Sequence, residues 1–391
     1  MLNTARIIKD ELIAHRRWLH AHAETGFDLA KTANYVYKQL ELMDYSPRWV
    51  GRCGVAADLN PNGHPTILLR ADMDALPIRE ETGVDFASQN GNMHACGHDM
   101  HTAMLLGAAK ILRNKDIKGN VRFLFQPAEE LLEGAAEMID YGILEDVDAA
   151  MMIHATVGAP LPTGMAIVAS PGISAPAADY FTITVNGKSC HGSAPQDGID
   201  PIPAAAQILL ALQTIQTREL GLNEKAVLTI GSIHGGTAPN VIADHVELRG
   251  TMRTADECIR TKLKQRMEET VRGIAAVFRT DAALHFDSGC PCLVNDEVLS
   301  DSAARWLKDL LGEKMAKSTR ELDPHGGPTA GGSEDFAYIS QQVPSVMVAL
   351  CAGDNGHPLH HPQVVFDEDA IPIGAAAYAT VADRFLNISV K

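Results

Sequence analysis

The sequence of 391 residues predicts an α/β fold with a mostly parallel sheet. Two observations support it: short apolar runs have the length and composition of buried strands, and helical patterns separate them. In chain order these are strand 66–70, helix 102–113, strand 121–126, helix 134–140 and strand 148–153. Such alternation is typical of parallel sheets, because a parallel connection needs a crossover long enough to hold a helix.

Polar residues follow each of these strands. The first strand runs into Asp72, the second is followed by Pro127, Glu129 and Glu130, and the third ends at His154. In open parallel sheets the ligand site forms outside the carboxyl ends of the strands. We therefore expect these side chains to share one edge of the sheet, although an acidic, solvated helix start is the alternative reading of the two glutamates.

The middle of the chain has a different pattern. Stretches 169–178 and 287–296 are rich in turn-forming residues and interrupt the periodicity. Between them we predict strand 180–185, helix 203–219, strands 226–233 and 245–253, helix 258–278 and strand 283–286. This order is the split βαβ pattern of a ferredoxin-like α+β layer. We expect residues 176–288 to be an inserted lid or dimerisation domain, flanked by the two parts, 1–175 and 289–391, of a discontinuous catalytic domain.

Composition excludes several classes of function. The net charge is −16, and no run of lysines or arginines offers the basic surface that nucleic acid requires. No stretch is long and apolar enough to span a bilayer, and the charged N-terminal helix start lacks the apolar core of a signal peptide. Seven scattered cysteines do not form a disulfide framework. We expect a cytoplasmic protein that binds neither nucleic acid nor a membrane.

The segment 94–102 reads His-Ala-Cys-Gly-His-Asp-Met-His-Thr and concentrates metal-ligand residue types. Cys96 and His98 alternate about one glycine, which suits a tight loop around a divalent ion better than one face of a helix. A solvated turn with a buried, inert cysteine is the alternative. A later loop, 353–362, holds three histidines, of which one could complete a metal site. These are His357, His360 and His361.

Five motifs run in order over nearly the whole chain. They are Arg-Ala-Asp-Met-Asp-Ala-Leu-Pro (70–77), His-Ala-Cys-Gly-His-Asp (94–99), Gln-Pro-Ala-Glu-Glu (126–130), Gly-Ser-Glu-Asp-Phe-Ala (332–337) and Leu-His-His-Pro (359–362). Together they resemble the M20 peptidase family, in the subgroup that includes hippurate hydrolase, N-acyl-amino-acid aminoacylases, N-acetyl-diaminopimelate deacetylase and plant auxin-conjugate hydrolases. The chain departs from the family pattern at Ala23 and Ala243, where proline is usual, which affects local rigidity rather than chemistry.

The resemblance implies a pair of divalent ions. Thiolate and imidazole donors favour Zn, Ni or Co, while the carboxylate leaves Mn possible. The implied ligands are Cys96, His98, Glu130, His154 and His360. Glu129 is the implied catalytic base, and Asp72 would orient a ligand. His191 and Asn240 in the insert resemble residues that reach the substrate across a dimer or a closed hinge, so a homodimer or higher homo-oligomer is expected.

The expected function is metal-dependent hydrolysis of the amide bond in N-acyl amino acids or short peptides. Of two neighbouring carboxylates, Glu130 can bind an ion while Glu129 takes a proton from water, and His191 could stabilise the oxyanion. Arg253 could bind the substrate α-carboxylate through two parallel N–H donors, with a structural ion pair or a solvated strand end as the alternative.

Other functions remain open. They are a dipeptidase or broad amidase of the same fold and a non-catalytic metal-binding protein. A thiol hydrolase that uses Cys96 is less well supported, because no Cys-His-Asn set is recognisable. The acyl group, the amino acid and the native metal cannot be read from the sequence.

Overall fold

The structure, a computed structural model, describes residues 1–323 and 332–388. Residues 324–331 and 389–391, which belong to the expected second catalytic part, lie outside the described residues. The described chain divides into two compact units. The first unit contains Met1–Ser174 together with the described residues from Val294 onward, except for a short stretch before Glu334. The second contains Ala175–Leu293, which overlaps the expected insert 176–288.

The strands of the described chain follow in order. They are β1 (Arg48–Val50), β2 (Gly54–Asp58), β3 (Thr66–Asp72), β4 (Asn120–Gln126), β5 (Ala149–Thr156), β6 (Ala166–Val168), β7 (Gly172–Ala175), β8 (Ala177–Asn186), β9 (Cys190–His191), β10 (Ala226–Gly235), β11 (Val241–Ile242), β12 (His245–Thr254), β13 (Asp281–Cys290), β14 (Leu293–Asn295), β15 (Ala316–Ser318) and β16 (Ser345–Cys351).

The α-helices of the described chain follow in the same way. They are α1 (Leu2–Ile7), α2 (Lys9–Ala21), α3 (Ala30–Leu42), α4 (His98–Arg113), α5 (Gly134–Asp140), α6 (Pro201–Thr214), α7 (Glu257–Phe278), α8 (Glu297–Leu311), α9 (Thr319–Leu322), α10 (Ala337–Ser340) and α11 (Ile371–Ile388). Among the described residues, none of these helices combines the length and apolar composition that a membrane span requires.

The first unit is built on an eight-stranded sheet in the order β1-β2-β4-β3-β5-β16-β6-β15. Its four central strands, β4, β3, β5 and β16, run parallel, which confirms the predicted α/β class. Every residue of β3 is buried, as expected for a strand covered on both faces. β4, which follows β3 in the chain, lies beside β3 at one side of this pair of strands. β16, which the chain reaches after β5, lies beside β5 at the other side. The carboxyl ends of β3 and β5 therefore form a topological switch point, where ligands bind in open α/β sheets.

Tyr378 of α11 separates β3 from β5 at this point. The pairing of the two strands runs from Ile67 opposite Ala149 to Arg70 opposite Met152. Beyond it, the Tyr378 hydroxyl donates to the Arg70 carbonyl at 2.7 Å and accepts the Ile153 N–H at 2.8 Å. Direct pairing is thus replaced by a side chain next to the strand ends that carry the polar residues.

The second unit contains a four-stranded sheet in the order β10-β12-β8-β13. All of its pairings are antiparallel, and residues of α6 and α7 share one core with it. The chain order β8-α6-β10-β12-α7-β13 is the split βαβ arrangement, so the prediction of a ferredoxin-like α+β layer is confirmed. The helix expected over 203–219 begins earlier, at Pro201, and its last turn, Ile215–Glu219, is π-helical.

Candidate metal centre

Five predicted ligand side chains meet at the carboxyl edge of the large sheet. Cys96 Sγ lies 3.3 Å from His360 Nε2 and 3.6 Å from His154 Nε2. Glu130 Oε1 lies 3.6 Å from His360 Nε2 and 3.9 Å from His98 Nε2. Ligands of one tetrahedral zinc ion are spaced by about 3.4 Å when bonds are about 2.1 Å long. These separations are close to those expected of donors that surround bound metal ions.

Among the sets of three that these donors form, two share Cys96. One set is Cys96, His98 and His154, and the other is Cys96, Glu130 and His360, with the ligand atoms of each set within 4.8 Å of one another. Two sets with one shared donor fit a pair of ions. Thiolate, imidazole and carboxylate together are a donor set that zinc, nickel, cobalt and manganese accept.

His98, which is buried, and His154, which is half-buried, are each held by a hydrogen bond from Nδ1. His98 Nδ1 lies 2.8 Å from the Asp74 carbonyl, and His154 Nδ1 lies 2.7 Å from the Ala155 carbonyl. Because a carbonyl can only accept, each Nδ1 carries a proton, which leaves Nε2 as the nitrogen that faces the cluster and can bind an ion. Burial lowers the pKa of His154 to about 3, which keeps its ring neutral.

Two atoms of the cluster are buried without a hydrogen-bond partner among the described residues. They are His98 Nε2 and Glu130 Oε1, which lie 3.9 Å apart. Unsatisfied buried polar atoms are rare in folded proteins, since each costs the free energy of its lost hydration. Burial also raises the pKa of Cys96, so an ion that binds there displaces the thiol proton. The orphaned acceptors fit a cationic occupant.

Gly97 determines how Cys96 and His98 are presented. Its φ of +84° is left-handed, it caps α4, and a Cβ there would lie 2.9 Å from the Phe366 ring. Glycine alone fits both requirements. Helix α4 consequently begins at His98, and the predicted start at residue 102 was wrong. The left-handed cap starts the helix inside the motif, which places His98 and His101 on one face.

The Glu129–Glu130 turn is fixed by its backbone. The Asp74 carboxylate accepts the N–H of Glu129 at 3.0 Å and that of Glu130 at 3.2 Å. Just before them, Ala128 adopts a left-handed φ of +55°. Such a conformation costs a non-glycine residue about 1–3 kcal/mol and is concentrated at functional sites. The sequence placed both glutamates past a strand end, but it gave no sign that Asp74 holds them.

Glu129 lies beside the predicted ligands. Its Oε2 is 3.9 Å from His98 Nε2, and one of its oxygens groups with the buried carboxylates of Glu334 and Asp335. Burial, reinforced by the charges of Glu334 and Glu130, raises the pKa of Glu129 well above its usual range. A carboxyl group with a raised pKa is suited to accept and return a proton near neutral pH.

Asp72 contacts a histidine that sequence reasoning did not single out. Its Oδ1 lies 2.6 Å from His101 Nδ1, while His98 Nδ1 is 3.8 Å away. His101 Nε2 accepts the Ala155 N–H at 2.7 Å, so both of its nitrogens are occupied. The His101 ring packs edge-on against the His154 ring, with centroids 4.7 Å apart. The position of His101 three residues after His98 was the available signal.

The predicted residues of the insert lie in the second unit. His191 on β9 is exposed and pairs with Val241, and the Asn240 carbonyl accepts the Gly192 N–H at 2.8 Å. Arg253 on β12 donates to the Tyr180 hydroxyl at 3.2 Å, and its guanidinium lies 5.1 Å from the centre of the Tyr180 ring. Their roles toward substrate stay predictions.

An α/β sheet whose switch point carries thiol, imidazole and carboxylate donors beside a proton-accepting carboxylate has the features of a metal-dependent hydrolase. The sequence profile described as peptidase family M20/M25/M40 matches residues 68–384. The chain therefore belongs to this family, as its motifs predicted, and it is a hydrolase that acts on amide bonds.

Three known proteins illustrate the similarity. N-acetyl-L-cysteine deacetylase of Bacillus subtilis (strain 168) is 39% identical over 376 residues, which cover 93% of this chain and 85% of the relative. N-acyl-L-amino acid amidohydrolase of Geobacillus stearothermophilus is 42% identical over 295 residues, 74% of this chain and 79% of the relative. The crystal structure of the Bacillus subtilis protein YXEP, described as a dinuclear metal-binding peptidase of the M20 family, has a TM-score of 0.78 and 33% identity, with 98% and 99% of the two chains covered.

Proposed function

We propose that this protein hydrolyses the amide bond of N-acyl amino acids, with two divalent ions in the candidate centre and Glu129 as the proton-transferring base. One observation carries the proposal. Two consecutive carboxylates, held by Asp74 through their backbone amides, have different neighbours. Glu130 groups with Cys96 and His360, whereas Glu129 groups with the carboxylates of Glu334 and Asp335, and both glutamates group with His98. A protein that only stored metal would need Glu130 as a ligand, but it would not need Glu129 as a base. The relatives named for deacetylation and for N-acyl amino acids support the substrate class.

The donor set defines what the centre would hold. Cys96, His98 and His154 would bind one ion, and Cys96, Glu130 and His360 the other. The softer first set favours Zn, Ni or Co, while the carboxylate in the second admits Mn. Bound there, the ions would polarise the amide carbonyl and make an attacking water more acidic.

Side chains of the protein would transfer the proton, stabilise the oxyanion and bind the substrate. Glu129 would accept the proton of the attacking water and return it to the leaving amine. His191 would donate a hydrogen bond to the oxyanion, with Asn240 in contact with the substrate. Arg253 would bind the free α-carboxylate with two parallel N–H donors, a geometry that a lysine cannot reproduce. We propose that the enzyme acts in the cytoplasm as a homodimer or higher homo-oligomer, in which a partner subunit could supply the lid donors.

A substrate and metal screen tests this function. The protein is stripped with chelator, reloaded separately with Zn²⁺, Mn²⁺, Co²⁺ and Ni²⁺, and assayed on N-acetyl and N-benzoyl amino acids, their α-carboxamides and dipeptides. We expect activity to vanish on stripping, to return with metal and to require the free carboxylate. Full activity in the stripped protein would overturn the metal mechanism. Equal cleavage of free and amidated substrates would replace the proposal with a broad amidase, and a preference for dipeptides would indicate a dipeptidase.

A further inference from the structure

Asp99, the residue after the proposed ligand His98, points to helix α2 and is fully buried. Its Oδ2 accepts hydrogen bonds from Arg16 Nε at 2.7 Å and from His20 Nδ1 at 2.8 Å. Its Oδ1 accepts the N–H of Met100 in the first turn of α4 at 2.9 Å. Both of its oxygens are thus occupied by donors, and we refer to Arg16, His20 and Asp99 together as the Asp99 clamp.

The clamp is held from its other side as well. His20 Nε2 lies 3.1 Å from Glu80 Oε1, so the imidazole lies between two carboxylates and must donate from each nitrogen. Arg16 Nη1 donates to Glu368 at 3.2 Å. Arg16 and His20 are each only 2% exposed. Buried charges with this many partners constrain geometry strongly, although such clusters are weak evidence for stability.

Helical geometry connects the clamp to the metal centre. Successive helix residues are rotated by about 100°, so fixing Asp99 against α2 also fixes the direction of its neighbour His98. From that direction His98 Nδ1 reaches the Asp74 carbonyl, and one turn later His101 reaches Asp72. Rotation of this first turn would move both histidines together.

The segment after α2 contacts the other two loops of the centre. The Glu24 carbonyl accepts the N–H of Ala75, next to Asp74, at 2.7 Å. The Gly26 carbonyl accepts the N–H of Ala128, next to Glu129, at 3.1 Å. The N-terminal segment therefore touches each of the three turns that present Asp74, His98 and Glu129.

We infer that Arg16 and His20 are positioning residues of the metal centre, which act through Asp99 to keep His98 oriented toward Cys96 and Glu130. The inference rests on the proposed function, because it requires that the cluster binds metal. A half-exposed ion pair between the same two helices serves as a control for their general packing. Lys110 of α4 donates to both carboxylate oxygens of Glu11 of α2 at 2.6 Å, away from the metal ligands.

The test measures Co²⁺ binding to stripped full-length protein. Affinity is obtained by titration, and the ligand-field and thiolate charge-transfer absorption reports on the geometry around the ion. Thermal unfolding of the metal-free protein is recorded in parallel. We expect Asp99→Asn and His20→Ala to weaken Co²⁺ binding by about 10–100-fold, the usual cost of losing a hydrogen bond that orients a ligand, and to change the spectrum. Lys110→Ala should leave affinity and spectrum unchanged.

The outcomes separate the two proposals. If the wild type binds no Co²⁺ with a thiolate signature, the proposed metal centre fails, and the clamp has nothing to position. If the wild type binds but Asp99→Asn keeps the same affinity and spectrum, only the positioning role is overturned. An equal loss in Lys110→Ala would also overturn it, because general loosening of α2 against α4 would then explain the effect. Arg16→Lys, which retains the charge but lacks the Nε donor, replaces any variant that fails to fold and should show the same loss.

Discussion

Two of the pairs of consecutive acidic residues in the first unit, Glu129–Glu130 and Glu334–Asp335, have different surroundings. Glu130 Oε1 is buried without a hydrogen-bond partner among the described residues. Asp335 accepts from Arg70 Nη2 at 2.6 Å, from Gln126 Nε2 at 2.8 Å and from the Ala135 N–H at 2.8 Å. Glu334 also lies 3.0 Å from Arg70 Nη2.

The difference shows what distinguishes a site from an internal ion pair. The second pair already has its cation, since the Arg70 guanidinium is fully buried and contacts both carboxylates. The first pair has histidines and a thiol as neighbours, groups that bind a metal ion rather than replace it. Residue type alone does not separate the two pairs, but the partners of their oxygens do.

The largest expected effect is on catalysis at the first pair. Glu129→Gln removes the proton acceptor and leaves the two donor sets intact, so kcat should fall by roughly two to four orders of magnitude. Metal content, measured by atomic emission, should stay at the wild-type level. Near-normal turnover in this variant would remove Glu129 from the mechanism.

A change at the Glu334–Asp335 pair should affect the stability of the fold rather than catalysis. Arg70→Met leaves three buried carboxylates, those of Asp72, Glu334 and Asp335, without their cation, which should cost about 3–5 kcal/mol in the free energy of unfolding. Denaturant titration of the metal-free protein measures this loss. Arg272, which is 74% exposed and paired with Glu268, provides the control, since Arg272→Ala should change stability by less than about 1 kcal/mol. Similar losses in the two variants would contradict a special role for Arg70.

A third variant tests the ligand within the first pair. Glu130→Ala should weaken metal binding by more than the roughly 10–100-fold that loss of a supporting hydrogen bond costs, because it removes a donor itself. Titration of stripped protein with Zn²⁺ in competition with a chromophoric chelator measures the affinity. Unchanged affinity would place Glu130 outside the centre and leave Cys96 and His360 without their third partner.

Much of the site was predictable because the ends of buried strands can be recognised in the sequence. The apolar runs before Asp72, Glu129 and His154 mark β3, β4 and β5, and the rule for parallel sheets brings their ends together. Local spacing likewise drew attention to Cys96 and His98.

The contacts that orient these side chains were not predictable. Asp74 holds the Glu129–Glu130 turn through backbone amides. Every residue except proline has such an amide, so the sequence does not show which ones Asp74 binds. The start of α4 depends on a left-handed Gly97 that fits beneath Phe366. Arg70 reads as part of a strand, and its partner Asp335 lies 265 residues further along the chain. Backbone direction and long-range pairing are properties of the assembled fold, which periodicity does not encode.

Tyr378 has a consequence for how the sheet can be observed. Its hydroxyl occupies the place where a strand would bond the Ile153 N–H, so a side chain of α11 protects that amide. Loss of α11 from the sheet would expose it even while β3 and β5 stayed paired from Ile67 to Arg70. In native-state hydrogen exchange the Ile153 amide would therefore follow the undocking of the C-terminal helix, whereas the ladder amides of β3 would follow opening of the sheet.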